Sequence, residues 1–240
     1  QAHSSVEKAV LALGLPRRNF RKIETDEEFR LRPEALAAAI DQDRAAGMRP
    51  FCVTATVGTT STSSVDPVPA IAAICEDRGL WLHVDAAYAG SAAILEEKRH
   101  ILDGCEHADS FVVNPHKWLF VPMDLTAFYC SRPEILRRAL SLVPDYLRAE
   151  EDPKAVNFME YALPLGRRFR ALKLWFLIRA HGLDGLRQMI RNHVDWTVAL
   201  AQRLGGVPGF EIVTQPMLSL FTFRYAPPGA GDLDALTQDL

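Results

Sequence analysis

Four short apolar runs, set apart by helix-like stretches, constrain the fold of this chain more than any other feature. Phe51-Cys52-Val53-Thr54-Ala55-Thr56 has the length and β-branching of a buried strand. Trp81-Leu82-His83-Val84, Phe111-Val112-Val113 and Leu125-Thr126-Ala127-Phe128-Tyr129 read as three more. Around them lie helical patterns. Ser4 and Ser5 open one that Gly14 closes, and Arg32-Pro33-Glu34 begins a second that runs to about Arg44, with Gly47 as its stop. Val65-Asp66-Pro67 opens a third, Val68 to Asp77, ended by Arg78-Gly79. Strands separated by helices predict an α/β fold with a mostly parallel sheet flanked by helices. Ligands of such sheets collect just beyond the strand ends. Thr59/Thr60, Asp85 and Asn114/Lys117 all fall there, which points to a single site.

Beyond residue 142 the character changes. Residues 143–163 are polar, broken by prolines and poorly periodic, which predicts a mobile loop of the functional kind. A basic-apolar helix is expected from Arg167 to about Ala180, then another through Leu204. Phe210-Glu-Ile-Val-Thr and Leu218-Ser-Leu-Phe-Thr-Phe-Arg alternate like strands of a small α+β domain, and the chain stops in what reads as that domain's first helix. The expected division is residues 1–172 for a large domain and 173–240 for connecting helices and the start of a small C-terminal one.

A net charge of −3 gives no electrostatic drive toward nucleic acid or an anionic membrane, and no apolar stretch reaches the roughly 18–20 residues that span a bilayer. Cys52, Cys75, Cys105 and Cys130 are scattered without metal-ligand spacing; three lie in apolar contexts and read as reduced core residues of a cytoplasmic protein. The start Gln-Ala-His, with no initiator Met, suggests a piece of a longer protein.

Lys117 is the residue with the most chemistry in it. It stands between Phe111-Val112-Val113 and Trp118-Leu119-Phe120-Val121, a setting that predicts an amine projecting from a strand end into a cleft. A desolvated amine is a nucleophile, and the chemistry that most often wants one is a Schiff base with pyridoxal phosphate (PLP). Asp85, followed by Ala86-Ala87-Tyr88-Ala89-Gly90, could hold the pyridine nitrogen of PLP protonated and so keep the ring an electron sink. It could equally cap a helix start.

His83-Val84-Asp85-Ala86-Ala87-Tyr88-Ala89-Gly90 and Asn114-Pro115-His116-Lys117-Trp118 resemble the signatures of the group II PLP-dependent decarboxylases, nearest in pattern to the aromatic L-amino-acid decarboxylases. Ala2-His3-Ser4-Ser5-Val6, Val57-Gly58-Thr59-Thr60 and Pro164-Leu165-Gly166-Arg167-Arg168-Phe169-Arg170 extend the likeness nearly end to end. The resemblance implies a fold-type I, aspartate aminotransferase-like enzyme that decarboxylates an L-amino acid, aromatic by pattern. It also implies a homodimer with the active site at its interface.

Position by position, the resemblance makes Lys117 the Schiff-base lysine, Asp85 the partner of the ring nitrogen, and Ala87 a packing surface for the ring. It makes His3 a ring-stacking residue near the substrate carboxylate, has Thr60 and Asn114 contact the cofactor, and sets His116 near the phosphate. Without the resemblance, His3 reads as a capping or surface residue and Thr60 as a loop residue. The family's main phosphate cup lies upstream of the equivalent of His3, so this piece is expected to bind PLP weakly and to be inactive alone. Tyr146 matches the catalytic-loop tyrosine, placed to protonate the substrate α-carbon once carbon dioxide has left; its other reading is a ring that anchors the loop. Relatives with Phe there resemble aldehyde synthases, which release aldehyde, ammonia and peroxide. A further possibility is a truncated paralogue acting as an interaction protein.

Arg167, Arg168 and Arg170 at a helix start oppose the helix dipole unless carboxylates or carbonyls answer them, and are expected in domain- or dimer-interface ion pairs. His100, His107, His181 and His193 show no ligand spacing and are expected at the surface.

Overall fold

The computed structural model describes residues 1–142 and 156–239. Tyr146 and most of the expected 143–163 loop lie outside the described residues. A four-stranded sheet carries the architecture: β1 (Cys52–Thr56), β2 (Trp81–Asp85), β3 (Ser110–Val113) and β4 (Ala127–Cys130), ordered β1-β2-β3-β4. The first three are parallel, as expected. β4 runs antiparallel to β3, pairing Val113 with Ala127 and Ser110 with Cys130.

Period-2 burial sorts the faces. Val53 and Ala55 of β1 and Leu82 and Val84 of β2 point into the core, while Trp81, His83 and Asp85 share the other face. Two helices cover the apolar face: α2 (Pro33–Ala45) through Leu36, Ala39 and Ile40, and α3 (Val68–Arg78) through Val68, Ile71, Ala72 and Cys75. Ile71, Leu82 and Val84 are almost wholly buried, each worth ~1.5–3 kcal/mol. α3 ends where Gly79 turns left-handed (φ 63°) and Leu80 N–H reaches back to the Cys75 carbonyl, 2.8 Å away.

Several boundaries differ from expectation for identifiable reasons. Phe51 is exposed and lies outside the first strand, which begins at Cys52. The fourth strand starts at Ala127, not Leu125, since the Leu125 N–H is taken by His116 Nδ1 at 3.1 Å and cannot join the ladder. Between β2 and β3 the chain makes three 3₁₀ segments, at Ala89–Ile94, Glu96–Leu102 and Cys105–His107.

The helix expected from Arg167 starts later, as α6 (Ala171–Gly205), after a one-turn α4 (Pro115–Trp118) and α5 (Pro133–Leu140). Gly182 (φ 67°, ψ 173°) interrupts α6, so it is two helices in effect, as the sequence implied. β5 (Phe210–Ile212) pairs antiparallel with β6 (Phe223–Tyr225). Of the run expected to be a strand from Leu218, Phe223 and Arg224 are in β6, while its start turns instead, with Leu218 at φ 57° and a Met217–Leu220 bridge. α1 (Ser4–Ala12) and α7 (Leu233–Asp239) complete the elements. Among the described residues no helix is long and apolar enough to cross a membrane.

Candidate active site

Four of the expected site residues lie on one hydrogen-bonded path at the C-terminal edge of the parallel strands. Asp85 ends β2, in register with Thr56 on one side and Val112 on the other. Its Oδ1 accepts the Ala87 N–H at 3.0 Å. The Ala87 carbonyl accepts the Asn114 N–H at 2.9 Å, and the Asn114 carbonyl accepts the Lys117 N–H at 2.8 Å. Ala87 is thus pinned at both of its backbone groups, between the Asp85 carboxylate and the residue that precedes the lysine-bearing turn. Among the described residues Asp85 Oδ2 has no hydrogen-bond partner, so one carboxylate oxygen serves the fold and the other can face a ligand. Asp85 therefore makes the local cap-like bond and leaves its second oxygen without a partner among the described residues.

Lys117 is exposed rather than sunk in a cleft. The flanking apolar residues mislead because α4 is a single helical turn. Pro115 and Trp118, three apart, share its inner face and are both buried, so Lys117 is turned outward. The remaining expected residues lie around this path. Asn114 Oδ1 accepts the Thr126 hydroxyl at 2.8 Å, and His116 Nδ1 lies against the Leu125 backbone. Thr60 is exposed on a loop that begins at Val57, whose N–H donates to the Asp85 carbonyl at 2.9 Å. Beneath Thr60, the hydroxyls of Thr59, Thr62 and Ser64 bond to one another at 2.8–3.1 Å, which makes the loop self-supporting. His3 is exposed and caps α1, its Nδ1 accepting the Ser5 N–H at 3.2 Å. Among the described residues no hydrogen bond joins it to the Asp85–Lys117 path.

Other groups tune the surroundings. His83, on the Asp85 face of β2, sits with Nδ1 2.8 Å from Ser110 Oγ and its ring stacked on Phe128. Burial holds its pKa below the usual histidine range, partly opposed by the Asp85 charge. Asp66 accepts N–H groups from Leu31 and Thr56 and braces the end of β1, while burial pushes its pKa up. Of the cysteines, Cys75 alone is fully in the core, a narrower result than the three expected. Burial pushes the thiols of Cys75 and Cys105 up to about 11 and about 12, so neither is a nucleophile at neutral pH.

Two expectations about surface charge separate here. Arg168 and Arg170 are answered by Asp124 at 3.2 and 2.9 Å, as the dipole argument required. His193 is not a free surface residue: it accepts the Trp118 indole N–H at 3.1 Å and packs edge-on against Phe120. Nothing local in the sequence reveals this, because the partners are 75 residues apart. Tyr88 was also missed, although it lies inside the Asp85 motif; its ring stacks on Trp118 at 4.9 Å.

The pyridoxal-dependent decarboxylase conserved domain matches residues 1–226. The chain belongs to that family. Pyridoxal phosphate is the family's cofactor, and the fold-type I expectation holds. An aromatic-L-amino-acid decarboxylase of Bos taurus is 46% identical over 93% of this chain and 46% of its own length. A phenylacetaldehyde synthase of Petunia hybrida is 42% identical over 93% of this chain and 45% of its own. Among solved structures, an Oryza sativa protein crystallised with PLP and tryptamine aligns with TM-score 0.90 and 38% identity, over 93% of this chain and 46% of its own. Catharanthus roseus tryptophan decarboxylase, in complex with L-tryptophan, aligns with TM-score 0.90 and 36% identity over 99% of this chain and 50% of its own. The chain thus spans about half the length of these relatives.

The residues present suit one end of PLP. A carboxylate oxygen without a partner among the described residues, a pinned alanine and an outward amine match a pyridinium nitrogen, a flat ring face and an aldehyde. For the phosphate, Thr60, Asn114 and His116 are the expected contacts, a smaller set than the several backbone N–H donors a dianion calls for.

Proposed function

We propose that this chain is part of a PLP-dependent decarboxylase that converts an aromatic L-amino acid to its amine and carbon dioxide. The observation that carries the reading is the Asp85–Ala87–Asn114–Lys117 path, within a family match that covers most of the chain. When bound, PLP supplies an aldehyde that captures an amine and a ring that accepts the electron pair left as carbon dioxide departs. Lys117 would provide the amine that anchors the cofactor and then yields it to the substrate. Asp85 would hold a proton on the ring nitrogen. Ala87 would bear on one ring face and His3 on the other, with Thr60, Asn114 and His116 as further contacts. Tyr146 would return a proton to the substrate α-carbon. The names of the relatives at 46% and 41% identity, aromatic-L-amino-acid and tyrosine decarboxylases, support an aromatic substrate.

The same proposal divides the chain near residue 172, in the first turn of α6, and makes the protein a homodimer with its site at the interface. Support for the dimer is the family likeness. A cytoplasmic setting is supported by the four unpaired cysteines.

Visible absorbance on adding PLP to the full-length protein, lost in Lys117→Ala, together with carbon dioxide release from an aromatic amino-acid panel, tests the reading. A full-length protein that stays colourless with PLP overturns it. The match to a phenylacetaldehyde synthase favours oxidative deamination as the second reading. Peroxide formed mole for mole with substrate loss selects it. Tyr146→Phe should move a decarboxylase in that direction.

A further inference from the structure

Trp118, next to Lys117, is gripped by parts of the chain remote from it in sequence. The Tyr88 ring stacks on it with 4.9 Å between centroids and 26° between planes, and its indole N–H donates to His193 of α6. Tyr88 is itself held at the hydroxyl. That oxygen accepts the Ser219 N–H at 3.0 Å and lies 2.5 Å from Ser219 Oγ, 131 residues away. Burial raises the phenol's pKa, so it stays protonated at neutral pH and can donate to Ser219 Oγ while accepting from the backbone.

Two independent features show that this contact is built. Gly58 has no room for a Cβ, which would fall 2.4 Å from Ala89 Cβ and 3.2 Å from Tyr88 Cδ1, so the missing side chain lets the Tyr88 loop seat. Three of the four non-glycine residues with left-handed backbone among the described residues also lie nearby. They are Ser63 in the loop that begins at Val57, Phe120 two residues after Trp118, and Leu218 beside Ser219. Strained conformations persist only where surrounding contacts over-determine them, and they gather at functional sites.

We propose that Tyr88 is a positioning residue for Lys117. Its ring sets the orientation of α4 through Trp118, and its bond to Ser219 makes that orientation depend on how the 217–220 turn is seated. The inference rests on Lys117 being the reacting amine. Lys117 and Trp118 are successive residues of one turn, so a tilt of the indole plane carries the lysine Cα with it. The residues after β5 thereby reach the reacting group without touching it.

Tyr88→Phe keeps the ring and removes the hydroxyl; Ser219→Ala keeps the phenol and its backbone donor. In the full-length protein, hydrogen–deuterium exchange at residues 115–121 is measured with and without PLP, alongside the growth of the Lys117-dependent absorbance and steady-state rates. Tyr88→Phe should speed exchange at 115–121 by about tenfold, the equivalent of one net hydrogen bond. Absorbance growth and kcat should slow by a similar factor, with KM within about twofold of wild type. Ser219→Ala should do the same to a smaller degree, and the double variant should match Tyr88→Phe, since both cut one connection. Faster exchange confined to 217–220 with 115–121 unchanged, or additive effects at 115–121, overturns the proposal. If wild type with PLP shows no Lys117-dependent absorbance, the functional reading falls, and the exchange comparison still decides the coupling.

Discussion

Replacing Gly58 by alanine is expected to unseat the loop that follows Asp85 and carries Tyr88. Gly58 has φ 79°, and an added Cβ would stand 2.4 Å from Ala89 Cβ, 3.2 Å from Tyr88 Cδ1 and 3.4 Å from Ala89 N. Left-handed backbone costs a residue with a side chain about 1–2 kcal/mol. Overpacking adds about 1–3 kcal/mol, because the obstructing atoms are a buried methyl and a backbone nitrogen and not the end of a flexible chain. Reduced freedom of the unfolded chain returns up to ~1 kcal/mol. The net loss should be about 1–5 kcal/mol.

Gly79→Ala is the matched control: φ is 63°, with nothing within 4 Å of the added Cβ, so it carries the backbone cost alone. Urea denaturation of both variants in the same buffer isolates the steric part as their difference, about 1–3 kcal/mol. Adding Ala89→Gly to Gly58→Ala removes the nearest obstruction and should recover part of that difference. If Gly58→Ala is no more destabilising than Gly79→Ala, the close seat of the Tyr88 loop against Gly58 is wrong. The positioning role of Tyr88 then loses one of its supports.

Asp85→Asn should fold normally, since the amide oxygen can still accept the Ala87 N–H. It should weaken PLP binding to the full-length protein by roughly ten- to a hundredfold through loss of one charge-assisted bond; equal affinity by absorbance titration refutes the assigned role. Glu97 has its carboxyl lowered to about 2, first by the side-chain hydrogen bond from Arg191, which ties the 96–102 segment to α6. A depressed carboxyl stabilises the fold above its unfolded value of 4.5, and that contribution disappears as pH falls through about 2. The stability gap between wild type and Glu97→Gln should therefore shrink steadily between pH 5 and about pH 2 in denaturation series, and a constant gap contradicts the pairing. Arg137 places Nε and Nη2 each 2.6 Å from Glu160 Oε2, and Glu160 is 5% exposed. Arg137→Ala, which strands that carboxylate, should cost about 1–3 kcal/mol; Arg137→Ala combined with Glu160→Gln should cost less, as chemical denaturation can show.

Much of the scaffold was legible because its signals are local. β-branched runs of strand length, prolines at first helical turns and a left-handed glycine at Gly79 each act within a few residues. Where the signal was not local, the reading slipped. Leu125 has strand character, yet its N–H belongs to His116, which displaced β4 by two residues. Leu218 sits in an alternating run and is nonetheless held in a left-handed turn by Tyr88 and Ser219. Of the expected site residues, Asp85, Ala87, Asn114 and Lys117 share one hydrogen-bonded path, while His3 and Thr60 stand off it and Tyr146 lies outside the described residues.

The sequence by itself determined the α/β alternation, the family and the placing of Asp85 and Lys117 at the ends of two neighbouring strands. Those properties follow from residue type and spacing along the chain. Tertiary structure alone decided how Lys117 is presented. The apolar residues around it suggested enclosure, and one helical turn instead buries Pro115 and Trp118 and turns the amine outward. What steadies that turn comes from Tyr88, His193 and Ser219, at separations of 30 to 131 residues. Side-chain stacking and hydroxyl bonds over such distances leave no periodicity in a sequence. They exist only once the sheet has brought the strand ends together.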